Sequence, residues 1–233
     1  MELLHEGTLM KDNQPLSFQV RILTIEHLLE ILRVQDEVVK NLTNHDNLQP
    51  LTDDEFRFIL EGSGFMVGAF AEKELIAFRA ILVPIIDDEH LGLDIGIKEE
   101  DLQSVIYQEI SNVHPAYRGN QLQKTLASII MRELATRNHR FRYVCCTVAP
   151  FNIPSLKDKF VQNMQVAALK AKYGEKLRYI FVRDLLQPED EKWTETIALP
   201  MEDTEAQQQK LAEGFRGIAM EEREGKLFVI YCK

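Results

Sequence analysis

The stretch "VHPAYRGNQLQKTL", Val113 to Leu126, decides how the rest of the chain is read. A β-branched residue and a proline close an extended run. An Arg-Gly pair follows, and apolar residues then recur at helical spacing from Leu122. A strand therefore runs into a helix through a glycine-bearing loop. Such a loop gathers backbone N–H groups at the positive end of the helix dipole, which suits an anion, most naturally a phosphate or pyrophosphate. Gly119 lets the backbone approach a ligand, and Arg118 and Lys124 add fixed positive charge. The loop fits neither G-x-x-x-x-G-K-[ST] nor G-x-G-x-x-G, so an ATP P-loop and a Rossmann fingerprint are unsupported.

Working outward, the periodicity predicts a first strand at 18–23, an amphipathic helix at about 24–42, and a short helix after the capping-box spacing of Thr52 and Glu55. Two apolar runs, 65–71 and 75–83, flank "EKE" and read as a hairpin. An acidic connection leads to a strand at 104–113. The helix after the loop, 122–136, buries Leu122, Leu126, Ile129, Ile130 and Leu134. A strand at 141–148, a helix at about 153–172 and a strand at 179–185 follow. After Gln187-Pro188 the run "EDEKWTET" reads as a linker. A strand (196–199), a helix (203–213) and a final hairpin (215–221, 227–231) complete the chain. This order implies an α/β or α+β domain with mixed strands, over residues 1–186, and a small α/β extension, 187–233, packed on it.

Composition narrows the function. Net charge is −10 over 233 residues, which argues against nucleic-acid binding. No apolar run approaches the ~18 residues of a membrane span, and the N-terminus has no signal-peptide pattern. Cys145, Cys146 and Cys232 form no disulfide framework, which fits a reduced, cytoplasmic protein. No Cys/His spacing suits a metal. Charge is unevenly distributed. Residues 116–183 hold 13 Lys and Arg against three acids, whereas residues 85–112 hold eight acids against Lys98. Opposite patches suit an anionic ligand at one place and a cationic one elsewhere; both also suit a merely solvated surface.

"VHPAYRGNQLQ" resembles the acyl-CoA-binding motif of the GNAT N-acetyltransferase superfamily, Val-x-Pro-x-Tyr-Arg-Gly-x-Gly-[apolar]-Gly. Val113, Pro115, Tyr117, Arg118, Gly119 and Leu122 match it. Downstream, "TVAPFNIPSLKDKF" resembles the family's next strand-to-helix junction through Val148, Pro150, Asn152 and Ser155. The resemblance covers roughly residues 17–186. It implies a mostly antiparallel central sheet with helices on both faces, and acetyl-CoA in a splay between the strands 104–113 and 141–148. Backbone groups of Ser111, Asn112 and Val113 would meet the pantetheine arm. Amides from Arg118 through Gly119, Asn120, Gln121, Leu122, Gln123 and Lys124 would hold the pyrophosphate. Asn152 and Ser155 belong to the second junction, with Asn152 reaching the pantetheine region.

Two departures stand out. Gln121 and Gln123 occupy positions where the family has glycine. Lys159 stands where many members have a tyrosine acting as general acid, and reads as a surface residue; Tyr173 falls on the same predicted helix. Glu109 matches the position of a general base in some members, and equally suits a structural carboxylate. The resemblance implies transfer of an acetyl group to a primary amine on a small molecule or peptide, with the acidic segment favouring a cationic acceptor. The rival readings are a catalytically silent CoA-binding or regulatory protein, and a homodimer formed through 187–233.

Overall fold

The computed structural model describes residues 2–42, 48–137, 140–187 and 193–233. In chain order the elements are β1 (Leu3–Lys11), β2 (Gln14–Ile22), α1 (Leu28–Lys40), α2 (Asp53–Phe58), β3 (Gly64–Ala71), β4 (Glu74–Leu82), α3 (Leu91–Asp94), β5 (Val105–Val113) and α4 (Leu122–Arg137). Then come β6 (Tyr143–Val148), α5 (Ile153–Val161), β7 (Gln165–Lys172), β8 (Lys176–Asp184), β9 (Thr196–Pro200), α6 (Thr204–Ala212), β10 (Arg216–Arg223) and β11 (Lys226–Cys232). The chain forms two compact units, one of Met1–Pro84 with Tyr107–His139, the other of Ile85–Ile106 with Arg140–Lys233. Of the expected linker, residues 189–196, residues 189–192 lie outside the described residues.

In the first unit β1 to β5 pair in chain order, each antiparallel to the next. Two hairpins close on two-residue turns in which both central residues are left-handed: Asp12–Asn13 (φ 51 and 62) and Glu72–Lys73 (φ 50 and 70). Turns of this hand match the natural twist of the strands. The first of these hairpins carries β1, a strand the hydrophobic pattern alone does not reveal. β1 is largely exposed, so it lacks the alternation on which such a reading depends.

Both faces of this sheet are covered. On one, Leu28, Ile31 and Val34 of α1 and Phe56 of α2 join Phe78, Ala80 and Ile110 in a buried cluster. There Phe56 meets Phe78 edge-on at 5.7 Å. Arg79, between Phe78 and Ala80, points to the other face, where its guanidinium reaches the Gln123 carbonyl of α4. α4 buries the five apolar residues its periodicity singles out.

In the second unit the strand order is β6-β8-β7-β10-β11-β9, with antiparallel pairing. The expected long helix at 153–172 is corrected here. α5 stops at Val161, Asn163 turns left-handed (φ 57), and residues 165–172 are strand β7 paired along β8. "QVAALKAK" is built of good helix formers, but a strand position between β8 and β10 overrides that preference. Gly217 lies against Val166 of β7, where an added Cβ would sit 2.9 Å from its side chain. Gln207 of α6 is fully buried. Its Oε1 accepts from Tyr179 at 2.7 Å and Tyr231 at 2.9 Å, and its Nε2 donates to the Met201 carbonyl, tying α6 to β8 and β11.

Candidate cofactor loop and active-site carboxylate

Pro115 starts a single 3₁₀ turn, Pro115–Tyr117, after β5, and the His114 Nδ1 accepts from the Ala116 N–H at 3.2 Å. Tyr117 is buried and receives Lys11 Nζ on its hydroxyl at 3.0 Å. Gly119 is left-handed at φ 81, with open space where a Cβ would project, so the backbone angle rather than crowding calls for glycine. Gln121 is also left-handed, φ 56, at a position where glycine would carry no strain. The Thr125 N–H makes the first bond of α4, to the Gln121 carbonyl at 3.0 Å. The N–H groups of Leu122, Gln123 and Lys124 precede that bond and have no acceptor within the helix.

The side chains of this loop divide the work. Arg118, Gln121 and Lys124 are exposed, and Leu122 is buried, so its contribution to a ligand is its N–H alone. The Asn120 amide is engaged with β1: its Oδ1 accepts from the Met10 N–H at 2.8 Å, and its Nδ2 donates to the Met10 carbonyl at 2.9 Å and the Tyr117 carbonyl at 3.1 Å. This clamp fixes the loop against the edge of the sheet.

Arg79 is the residue that motif reasoning overlooks. It is 1% exposed, and its guanidinium donates to Gln108 Oε1 at 2.7 Å as well as to Gln123 at 3.4 Å. A fixed positive charge thus sits behind the N-terminal turn of α4. The available signal was one arginine inside the apolar strand "ELIAFRAIL".

On β5, Ala80 pairs with Ile110 and Ile81 with Gln108, so Glu109 is the extra residue of a β-bulge. A bulge re-aims the side chain it carries. Strict alternation would set Glu109 opposite Ile110, which packs in the α1 cluster, and the bulge breaks that alternation. Glu109 also feels the charge of Glu55 on α2. Burial first, then that carboxylate, pushes the Glu109 carboxyl up to about 7. Two residues on, Asn112 is buried, and its Nδ2 has no hydrogen-bond partner among the described residues. The Ser111 hydroxyl is likewise without one, and Val113 is half-buried.

In the second unit Asn152 caps α5, its Oδ1 accepting from the Ser155 N–H at 3.2 Å. Lys159 is no surface residue: it is buried, with Nζ 3.5 Å from Asp158 Oδ2. Tyr173 is not on the helix. It sits in the β7–β8 turn, left-handed at φ 52, with its hydroxyl 3.3 Å from Thr147 Oγ1. The acidic connection is partly neutralised, since Lys172 meets Glu89 at 2.8 Å and Asp94 at 3.0 Å, and Lys170 meets Asp94 at 3.0 Å. Burial holds the His90 imidazole below its ordinary pKa. Among the described residues no His, Cys, Asp and Glu side chains cluster as metal ligands, and no helix is long and apolar enough to cross a membrane.

The largely antiparallel strands and their helices have the fold of solved acetyltransferases, a GNAT domain among them. An N-acetyltransferase from Staphylococcus aureus Mu50 superposes with a TM-score of 0.54 at 17% identity, over 72% of this chain and 98% of its own. A putative acetyltransferase from Salmonella typhimurium, solved with acetyl-CoA, gives 0.55 at 13% identity over 75% and 98%. The ribosomal-protein-S18-alanine N-acetyltransferase from Escherichia coli gives 0.55 at 13% identity over 76% and 99%. At these identities the likeness is one of fold. No family model matches the sequence, and no curated protein matches it.

Proposed function

We propose that the protein transfers an acetyl group from acetyl-CoA to a primary amine. The observation that carries this reading is the loop 118–124, with three leading N–H groups at the start of α4, Gly119 in the left-handed region, and the buried charge of Arg79 behind it. The fold neighbours support it, since one is described with acetyl-CoA and another, from Thermoplasma acidophilum, with coenzyme A. The residues present fit such a ligand. The donors suit a pyrophosphate, and the unpartnered Ser111 hydroxyl and Asn112 amide on β5 suit an amide-bearing arm. In this reading Arg118, Gly119, Asn120, Gln121, Leu122, Gln123 and Lys124 line the phosphate end, and Asn152 and Ser155 contribute from the second junction. Residues 1–186 form the catalytic part and 187–233 an extension.

Acetyl-CoA, when bound, supplies the acetyl group as a reactive thioester. Glu109 takes the proton from the incoming ammonium. A carboxyl poised at about 7 exchanges that proton near neutral pH, where a surface glutamate would be too weak a base. The acceptor in this reading is cationic, because Asp87, Asp88, Glu99 and Asp101 are not the acids held by Lys98, Lys170 and Lys172. Steering of this kind predicts that kcat/KM for a polyamine or lysine-like amine falls as ionic strength passes ~0.15 M, where charges are screened over about 8 Å. Equal rates for anionic amines, insensitive to salt, would refute it. The decisive experiment is calorimetric titration with CoA together with thiol release over an amine panel. No CoA binding at millimolar concentration rejects the proposal.

Lys159 favours a second reading, a CoA-binding protein without turnover, because its buried pairing with Asp158 puts an ammonium where the resemblance expects a phenol. CoA binding with no thiol release across the panel would select it.

A further inference from the structure

A cavity of about 420 Å³ opens between β2, the start of α1 and the end of β3, wholly within the first unit. None of its lining residues belongs to β5 or α4, so it stands outside the site described above. Its walls carry charges of both signs beside an aromatic ring. Arg21 holds its guanidinium 5.9 Å from the centroid of the Phe70 ring and donates to Gln19 Oε1. His27 meets the same ring edge-on at 5.6 Å, and its Nδ1 is occupied by the Thr24 N–H at 3.0 Å. Glu72, at the rim, lies 3.5 Å from Lys11.

Glu30 differs from these. Its Oε2 is buried and has no hydrogen-bond partner among the described residues, although it lines the same space as Arg21. A carboxylate oxygen withdrawn from water is costly unless a donor meets it. An anion and a cation that share a cavity without bonding each other complement a molecule carrying both charges in the reverse order. The aromatic ring beside them suits hydrocarbon and, at its face, an ammonium. The volume falls within the range of small-molecule sites, ~300–1,000 Å³. We infer that this cavity binds a small zwitterion of amino-acid type, with its ammonium on Glu30, its carboxylate on Arg21 and its side chain against Phe70.

Three molecules of one hydrocarbon skeleton test the inference on the full chain: L-leucine, 3-methylbutylamine and 4-methylpentanoate, titrated by calorimetry. Leucine is expected to bind at least about tenfold more tightly than either single-charge analogue, since each lacks one of the two charge contacts. Glu30→Gln and Arg21→Met are each expected to weaken leucine about tenfold while CoA binding is retained. Should either variant not fold, Phe70→Leu keeps both charges and is expected to weaken leucine about threefold. Glu109→Gln is expected to leave leucine binding unchanged. The inference fails if leucine does not bind at roughly 10 mM, if the amine binds as tightly as leucine, or if the Glu30 and Arg21 variants bind leucine like the parent. Loss of leucine binding in Glu109→Gln would place the ligand at the acetyl-transfer site and equally overturn it.

Discussion

The two strand-to-helix junctions, Val113 to Leu126 in the first unit and Val148 to Ser155 in the second, look alike in sequence and differ in physics. At the first, no side chain among the described residues takes the leading N–H groups of α4. The loop instead presents a left-handed Gly119, while Asn120 turns away to clamp β1. At the second, Asn152 folds its own oxygen onto the Ser155 N–H and satisfies α5 from within. The approaching strands differ too. β5 carries Glu109, poised near neutrality, whereas burial pushes the Cys145 thiol of β6 far up and leaves it inert as a nucleophile. An anion site needs a helix start left uncapped, so a motif match at both junctions does not give both the same part in binding.

Replacement of the poised carboxylate tests the strand side of this contrast and has the largest expected effect. Glu109→Gln should lower kcat about 100-fold at pH 8, the low end for loss of a general base, with CoA affinity within twofold. The parent's rate should rise with pH through about 7, where Glu109 ionises, and the mutant should lose that limb. Folded-state stability responds in the opposite sense. A carboxyl raised from an unfolded value of ~4.3 binds more protons when folded, so its contribution is full below that value and is lost as pH rises through about 7. After discounting for partial exposure, Glu109→Gln should gain about 1 kcal/mol at pH 8 and nothing at pH 4. A mutant with the parent's pH–rate profile removes Glu109 from the mechanism.

Arg118→Ala should weaken CoA by about 1–3 kcal/mol, the scale of a charge-assisted hydrogen bond, with thermal stability unchanged because the side chain is exposed. The matching change at the second junction, Asn152→Ala, should cost about 1 kcal/mol of stability through the lost cap. If Asn152→Ala instead lowers CoA affinity as much as Arg118→Ala while leaving Tm alone, the contrast between the junctions collapses. Gln121→Gly is the smallest effect. Relief of the left-handed side chain exceeds the added chain entropy, for a net gain of about 0.5 kcal/mol in denaturant midpoint. A loss of stability there would show that the Gln121 side chain makes a contact worth more than its strain.

Much of this was legible in the chain. α4 was, because five apolar residues at helical spacing leave one way to bury them. The hairpin of β3 and β4 and the elements after residue 195 were also readable, each bounded by short polar turns. The loop could be placed between strand and helix, and its positive charge is a property of residue type. β7 was not legible, because Ala, Leu and Lys favour a helix locally and only neighbouring strands decide otherwise. Tyr173 moved with it, from a helix to a turn. Lys159 reads as surface from composition, yet the packing around α5 buries it with Asp158.

The sequence by itself determined the order of elements around the loop, the charge at that loop and the carboxylate nine residues before it, since residue type and spacing suffice for each. Tertiary structure alone decided that Glu109 sits in a bulge and how strongly it holds its proton. One unpaired residue between two strands breaks the alternation at Glu109, and the desolvation it meets there depends on atoms that no local window contains. The same holds for Arg79, whose meaning comes from Gln108 on a neighbouring strand and Gln123 on a helix more than forty residues away. Long-range contacts set electrostatics because charge energies follow distance and burial in space.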